Sequence, residues 1–294
     1  MNTFYVVVPK AYTPDTKYAF TGVAVELPQY IMEGVNEKGL SAGLFYFPDY
    51  GKYEEEANGK ISVSDFELVG YILSRCATID DVKSTIAGLH IHGIDPRSST
   101  VHWRFIEESG RQVVLEIIDG KQVFYENTLG VLTNSPSFDY HLTNLNNYVN
   151  LMPGRAGANT IGRLEMTSFS GGTGMLGLPG DFSSPSRFVR VAFLQNTAPV
   201  KETALETVTQ AFHLLNNFDI PIGMQFAKGE EVVDIPSATH ITVASDLSGH
   251  KLYFRTLHNC EIRCIDLNRI NFKKTGYVCK PLDKVKAETI HQIF

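Results

Sequence analysis

The sequence predicts an α+β fold in which two antiparallel sheets pack together and helices cover them on the outside. Strand-like segments occur at the start, middle and end of the chain, and helical segments lie between them. Turn-type sequences at residues 108–110 and 119–121 join neighbouring strands as hairpins, which favours antiparallel pairing. A chain of 294 residues is long enough for a sizeable core, and no repeat, low-complexity segment or linker divides it.

The predicted strands are short segments rich in β-branched and aromatic residues. They span residues 4–8, 18–26, 42–47, 100–106, 112–118, 122–126, 130–133, 239–245, 251–257 and 261–266. Residues 36–39, with the sequence Asn-Glu-Lys-Gly, predict a hairpin turn between two of the strand-like segments.

The predicted helices carry apolar residues at helical spacing and span residues 65–77, 79–89, 138–148, 186–195 and 203–216. In the first of them, Phe66, Val69 and Leu73 lie on one face. Ser64 and Glu67 predict a capping box at its start. The helix that follows has two aspartates in its first turn, where the helix dipole favours negative charge.

Composition and charge exclude several classes of protein. Apolar residues make up 43% of the chain and charged residues 20%, which is typical of a globular protein. The net charge is −6 and no basic run is present, so we expect no nucleic-acid partner. No apolar stretch approaches the length of a membrane span, and the first residues lack the features of a signal peptide. As it stands, the sequence therefore predicts a cytoplasmic chain.

The four cysteines, Cys76, Cys260, Cys264 and Cys279, are too few for a disulfide scaffold and are predicted to be buried thiols. On a strand, Cys260 and Cys264 would share one face, which favours a place in the core. A zinc site formed by these two cysteines and His258 is disfavoured because no second pair of ligands is evident.

The pattern G-x-G-x-x-G at residues 172–177 is not expected to bind a dinucleotide. It needs a helix directly after it, and Pro179 and Gly180 oppose one. We therefore predict no cofactor and interpret residues 151–181 as a long irregular loop, which in a compact domain is usually functional or mobile. His102 lies in a predicted strand and is interpreted as a packed, hydrogen-bonded core histidine.

Two polar residues stand where a site could form. Asn134 follows a predicted strand, and its amide is a good neutral donor to an oxyanion. Arg187 begins a helix after two prolines, and its fixed positive charge can keep a nearby thiol or carboxylate ionised. Residue chemistry alone leaves open that each is merely a turn residue or a surface cation.

Four segments together resemble the choloylglycine hydrolase and penicillin V acylase family of N-terminal-nucleophile hydrolases. They are GVNEKGL at residues 34–40, GVLTNSPSFD at 130–139, GGTGMLGLPGDFSSPSRFVR at 171–190 and FHLLNN at 212–217. They occur in the family's order over nearly the whole chain. The resemblance implies a four-layer αββα sandwich formed as a single domain by residues 1–294. It also implies hydrolysis of a linear amide bond without a cofactor, a small amphipathic amide substrate, and often a homotetramer.

The resemblance also implies roles for three residues. Asn134 matches the family's oxyanion-hole asparagine, and Arg187 matches the arginine beside the nucleophile. Tyr46 falls where bile salt hydrolases carry asparagine and penicillin V acylases carry tyrosine. We expect a conjugated bile salt as substrate, with penicillin V or another N-acyl amide as the alternative.

The start of the chain departs from the family pattern. Members of the family begin with the nucleophilic cysteine, whose own α-amino group is the base, followed by an arginine and an aspartate. Met1 aligns after that segment, so the polypeptide as written is expected to be inactive. We expect an in-frame upstream extension that supplies these residues, and the compartment would be periplasmic or extracellular if it carried a signal peptide. The alternative is a non-catalytic relative that binds amphipathic amides.

Overall fold

The computed structural model describes residues 1–94, 100–231 and 237–294. The chain divides into two compact units. The first consists of Met1–Thr128 and Lys201–Phe294, and the second is Leu129–Val200. The expectation of a single domain over residues 1–294 stays a prediction.

The strands and helices follow the predicted order closely. The strands are β1 Thr3–Val8, β2 Phe20–Val25, β3 Ile31–Asn36, β4 Ser41–Tyr46, β5 Ile61–Ser64, β6 Leu89–His92, β7 Val101–Ile106, β8 Gln112–Ile118, β9 Lys121–Glu126, β10 Asn159–Ile161, β11 Leu164–Met166, β12 Ile241–Asp246, β13 Lys251–Thr256, β14 Asn259–Asp266 and β15 Val278–Pro281. The α-helices are α1 Leu68–Leu73, α2 Ile79–Ala87, α3 Phe138–Asn144, α4 Ser184–Thr197 and α5 Ala204–Leu215.

The first unit contains two main sheets, both antiparallel. The larger has eight strands in the order β15-β1-β2-β3-β4-β7-β8-β9, and the smaller has the order β12-β13-β14. A separate two-stranded sheet is formed by β5 and β6, which pair in parallel. The hairpin turns in the sequence did not predict this parallel pairing. The segment between these two strands contains α1 and α2, and it provides the long crossover that parallel pairing requires.

Two apolar cores and a cation–ring contact join four layers in this unit. On one face of the large sheet, Trp103 and its neighbours pack with buried residues of α1 and α2. On the other face, Val35 packs with Leu252 and Phe254 of β13, which joins the two sheets. Arg255, which points away from that core, lies 5.6 Å from the ring centroid of Phe212 in α5. The layers are therefore helix, sheet, sheet and helix, and the predicted αββα arrangement is confirmed.

Local sequence signals account for some boundaries between elements and not for others. Gly39 closes the turn between β3 and β4 with a φ of +71°, and a side chain there would meet Glu108. The capping box predicted for Ser64 and Glu67 is wrong. The Ser64 hydroxyl donates to the Glu67 carboxylate at 2.6 Å, and α1 begins only at Leu68.

Several other expectations from the sequence are corrected. Residues 130–133 do not form a strand, whereas β3, β5, β6 and β15 were not predicted. The loop at residues 151–181 contains the short hairpin of β10 and β11. Cys260 and Cys264 are exposed and not in the core, because Ile265, which points to the other face of β14, takes the side that packs against the core between the sheets.

His102 is a packed core residue, as predicted. It is fully buried, and its Nδ1 lies 3.1 Å from Oε1 of Glu116, which is also fully buried. The ring of Phe47 stacks on the imidazole at 4.5 Å, and Phe45 meets it edge-on at 6.2 Å. This cluster holds the two neighbours of Tyr46 at the end of β4.

Candidate active site

The second unit brings the segment around Asn134 against the first turns of α4. Val131 is buried just before Asn134, and α3 begins soon after it at Phe138. Pro185 stands in the first turn of α4, where its fixed φ suits a helix start. The rings of Phe138 and Phe188 meet edge-to-face at 6.1 Å, which packs α3 against α4.

This packing places Asn134 and Arg187 in direct contact. Arg187 Nη2 donates a hydrogen bond of 2.7 Å to Asn134 Oδ1, and Arg187 Nε donates one of 2.9 Å to the carbonyl of Phe182. A guanidinium group can only donate, so the oxygen of the amide must face it. The Nδ2 group of Asn134 is therefore directed away from the arginine, in an orientation suited to donating to another oxygen.

The backbone of Asn134 is also held on both sides. Its N–H donates to Ser184 Oγ at 2.9 Å, and its carbonyl oxygen lies 2.8 Å from Nε2 of His141. Because a carbonyl can only accept, His141 donates this hydrogen bond through Nε2. His141 is fully buried, and its ring stacks on Phe188 at 4.6 Å. Asn134 is thus fixed by three neighbours before any substrate binds.

Sequence reasoning missed Ser184 and His141. A signal existed for His141, which lies on the helix that follows Asn134 closely in the sequence. The sequence near His141 does not show that its ring donates to the Asn134 carbonyl, because the position of the ring depends on how α3 packs.

Arg187 brings a fixed positive charge next to Asn134. Burial, followed by repulsion from Arg190, lowers the pKa of Arg187, but a guanidinium remains charged at any physiological pH. Among the described residues, no carboxylate forms an ion pair with Arg187. Hydrogen bonds from Ser183 and Ser186 lower the pKa of Asp181 to about 2. Arg190 donates to the carbonyl of Asp181 at 3.1 Å.

Tyr46 lies in the first unit, at the end of β4, and is 53% exposed. Its flanking residues Phe45 and Phe47 both contact His102, so alternation along the strand turns Tyr46 to the other face, as predicted. Burial, followed by repulsion from Asp65, raises the pKa of its hydroxyl, which therefore stays protonated at neutral pH. Tyr46 can offer an aromatic surface and a hydrogen-bond donor.

Three of the four cysteines have the properties of poor nucleophiles. Burial raises the pKa of the Cys76 thiol, and burial together with Asp266 raises that of Cys264. A hydrogen bond to Glu288 raises the pKa of Cys260. These groups are protonated at neutral pH, and the thiolate is the reactive form. All four cysteines belong to the first unit.

In the described ranges, no group of three or more histidine, cysteine or acidic side chains is arranged to hold a metal ion. None of the helices in these ranges has both the length and the apolar character that crossing a membrane requires.

The four-layer unit places the chain in the N-terminal-nucleophile hydrolase fold class. The chain belongs to the choloylglycine hydrolase family of linear amide C–N hydrolases, whose family model matches residues 2–280.

Relatives with known activities and structures agree with this assignment. A bile salt hydrolase/transferase of Clostridium perfringens is 32% identical over 263 residues, which are 87% of this chain and 79% of that protein. A penicillin V acylase of Pectobacterium atrosepticum is 29% identical over 273 residues, 85% of this chain and 65% of that protein. The crystal structure of a variant of conjugated bile acid hydrolase from Clostridium perfringens superposes with a TM-score of 0.86 at 28% identity. It covers 100% of this chain and 93% of the other.

Proposed function

We propose that this protein hydrolyses the amide bond of conjugated bile salts, with Asn134, Arg187 and Tyr46 in its active site. The 2.7 Å contact between Arg187 and Asn134 is the observation that carries the proposal, because it orients an amide donor beside a fixed positive charge. The similarity to a bile salt hydrolase/transferase over 87% of the chain supports this choice of substrate. The homotetramer implied by the family resemblance is part of the proposal and is tested by analytical ultracentrifugation.

The roles follow from the chemistry of amide hydrolysis. A thiolate attacks the amide carbonyl, negative charge develops on the oxygen, and Nδ2 of Asn134 donates a hydrogen bond to that oxygen. Arg187 holds the asparagine in this orientation and adds positive potential. The amine leaves as the tetrahedral intermediate collapses and takes the proton that the α-amino group accepted from the thiol, and water then releases the acid from the acyl-enzyme.

The family resemblance assigns the nucleophile to a cysteine at the mature N-terminus. Its α-amino group has an ordinary pKa near 8, so a useful fraction is neutral and can accept the thiol proton at neutral pH. The raised pKa values of Cys76, Cys260 and Cys264 argue against each of them as a replacement.

The polypeptide Met1–Phe294 by itself is therefore expected not to hydrolyse glycocholate, taurocholate or penicillin V. Release of the amino acid or of the penicillin nucleus is measured by liquid chromatography after long incubation. The control carries Cys76→Ala, Cys260→Ala, Cys264→Ala and Cys279→Ala, and it should give the same background. Turnover above background that the quadruple variant lacks would contradict the prediction. Turnover that survives all four would indicate a different nucleophile.

The function itself is tested with the gene product that includes any in-frame codons upstream of Met1. We expect an N-terminal cysteine in that product and hydrolysis of conjugated bile salts. The matched control replaces this cysteine by alanine and should bind glycocholate without cleaving it. If the natural product has no such cysteine, and calorimetry detects binding of glycocholate without hydrolysis, the protein is instead a non-catalytic binder of amphipathic amides.

Tyr46 favours penicillin V as a second candidate substrate. The aromatic ring of this residue is 53% exposed and could form a wall for a phenoxyacetyl group, whereas asparagine would leave room for a steroid. In the active enzyme, Tyr46→Asn is expected to raise the ratio of kcat/KM for bile salt over penicillin V by about tenfold, a pocket effect of roughly 1–2 kcal/mol. The kcat/KM values for the two substrates are obtained from initial rates, for the parent and for the variant.

The matched control for this substitution is Tyr50→Asn, at a tyrosine of similar exposure (47%) in the loop after β4. It should leave the ratio unchanged. An unchanged ratio in Tyr46→Asn, with the same thermal stability as the parent, would show that Tyr46 does not contact the substrate.

A further inference from the structure

A cavity of about 830 Å³ lies between the two sheets of the first unit, at the edge formed by β15 and β1. Its apolar lining includes Tyr5 of β1, Ile265 of β14, and Phe254 and Leu282. Phe254 and Leu282 belong to the buried core between the sheets, and Tyr5 and Ile265 pack against that core. The cavity is therefore an extension of the apolar space between the sheets toward the surface.

The charged residues of this cavity are mostly basic, although the chain as a whole has a net charge of −6. The lining contains four cations, Arg263, Arg269, Lys280 and Lys284, against one carboxylate, Asp266. Arg263 is neutralised by Asp283 at 2.7 Å. Arg269, Lys280 and Lys284 are exposed, and within the residues that the structure describes they form no ion pair.

We propose that this cavity binds an amphipathic organic anion, with its apolar body between the sheets and its carboxylate or sulfonate among the three exposed cations. The volume is within the range of small-molecule sites, roughly 300–1,000 Å³. Apolar walls favour any hydrophobic body, and the unpaired cations discriminate against a positively charged head. A fatty acid has this chemistry, and so does the steroid acid that amide hydrolysis of a conjugated bile salt would release.

A fatty acid and a steroid acid differ in shape, so binding is measured with one of each. Isothermal titration calorimetry of Met1–Phe294 with laurate and with cholate, below the micelle-forming range, is expected to detect one site for at least one of them. Dodecyltrimethylammonium, which has the chain length of laurate and the opposite charge, should not bind. Affinity should fall as salt rises, because exposed charges are screened within about 8 Å at physiological ionic strength. Stronger binding of laurate identifies an acyl-chain site, and stronger binding of cholate a steroid-acid site.

Two variants test where the anion binds. Neutralising the three cations by Arg269→Gln, Lys280→Gln and Lys284→Gln should weaken binding by about tenfold and remove most of its salt dependence. The matched control, Lys52→Gln with Lys121→Gln and Lys228→Gln, changes the net charge equally at exposed lysines outside the cavity and should bind like the parent.

Val278→Trp keeps the cations and fills part of the cavity, so it should abolish binding. Thermal unfolding confirms that each variant is folded. Three results would overturn the proposal: no binding of either anion, equal binding of the cationic amphiphile, or parent-like binding in both cavity variants. None of them bears on the proposed amidase site, because the cavity lining does not include Tyr46, Asn134 or Arg187.

Discussion

Replacing Asn134 by alanine in the active enzyme is expected to lower kcat by roughly 100- to 1,000-fold and to change KM little. An oxyanion donor interacts most strongly when negative charge has developed on the carbonyl oxygen, so its loss raises the barrier more than it weakens substrate binding. Arg187, Ser184 and His141 hold Asn134 in place, so its donor needs little reorganisation as the charge develops.

The substitution Asn134→Asp removes the N–H donor without changing the size of the side chain. Aspartate keeps the size of asparagine and can still accept from Arg187, but it has no N–H to donate, so its kcat should fall at least as far. Asn150→Ala, at an exposed asparagine of the same unit, is the matched control and should retain the parent kcat. Initial rates with glycocholate give kcat and KM for each variant. Near-normal kcat in Asn134→Ala would remove this residue from the mechanism.

Glu116→Leu is expected to destabilise the protein by about 1–3 kcal/mol, the usual cost of removing one partner of a buried hydrogen bond. His102 and Glu116 are fully buried and 3.1 Å apart, so a His102 without Glu116 would lose this partner where water cannot easily replace it. The imidazole also packs against Phe45 and Phe47, so the end of β4 that carries Tyr46 should loosen as well.

Urea unfolding followed by circular dichroism measures this loss, and a double-mutant cycle attributes it to the pair. The double variant His102→Leu with Glu116→Leu should lose less stability than the sum of the two single variants, because neither polar group is left without the other. Glu55→Leu, at an exposed glutamate in the loop after β4, is the matched control and should change stability by less than about 0.5 kcal/mol. A loss in Glu116→Leu no larger than in this control would show that the pair contributes little.

Sequence patterns predicted most of the large sheet because strand alternation and hairpin turns are local properties. The strand predicted at residues 112–118 is β8 at the same bounds. β3 was missed because Glu33 and Gly34 interrupt its apolar pattern. In the structure, the side chain of Glu33 pairs with Arg104 at 3.0 Å, a partner that is distant in the sequence. The segment is a strand because its backbone pairs with β2 and β4, although its own residues do not specify one.

The candidate site, like the large sheet, was predictable from the sequence only in part. Residue chemistry identified Asn134 and Arg187 as candidates, and the family resemblance assigned them roles, but neither could place one against the other. They are 53 positions apart, and their contact depends on the packing of α3 against α4. The contribution of His141 is likewise a result of that packing.

The sequence by itself determined the fold class, the order of the elements and the family, because periodicity, turn residues and motifs are all encoded within short segments. Only the tertiary structure decided which side chains are buried and which are paired. Cys260 and Cys264 occupy one face of β14 as predicted, yet they are exposed because the opposite face, which carries Ile265, is the one that packs against the core between the sheets. Lys280 and Arg269 look like ordinary surface cations in the sequence, and they line an apolar cavity only because β15 pairs with β1 beside the small sheet. Burial and electrostatic environment are properties of the whole fold, since each depends on residues that the chain brings together from distant positions.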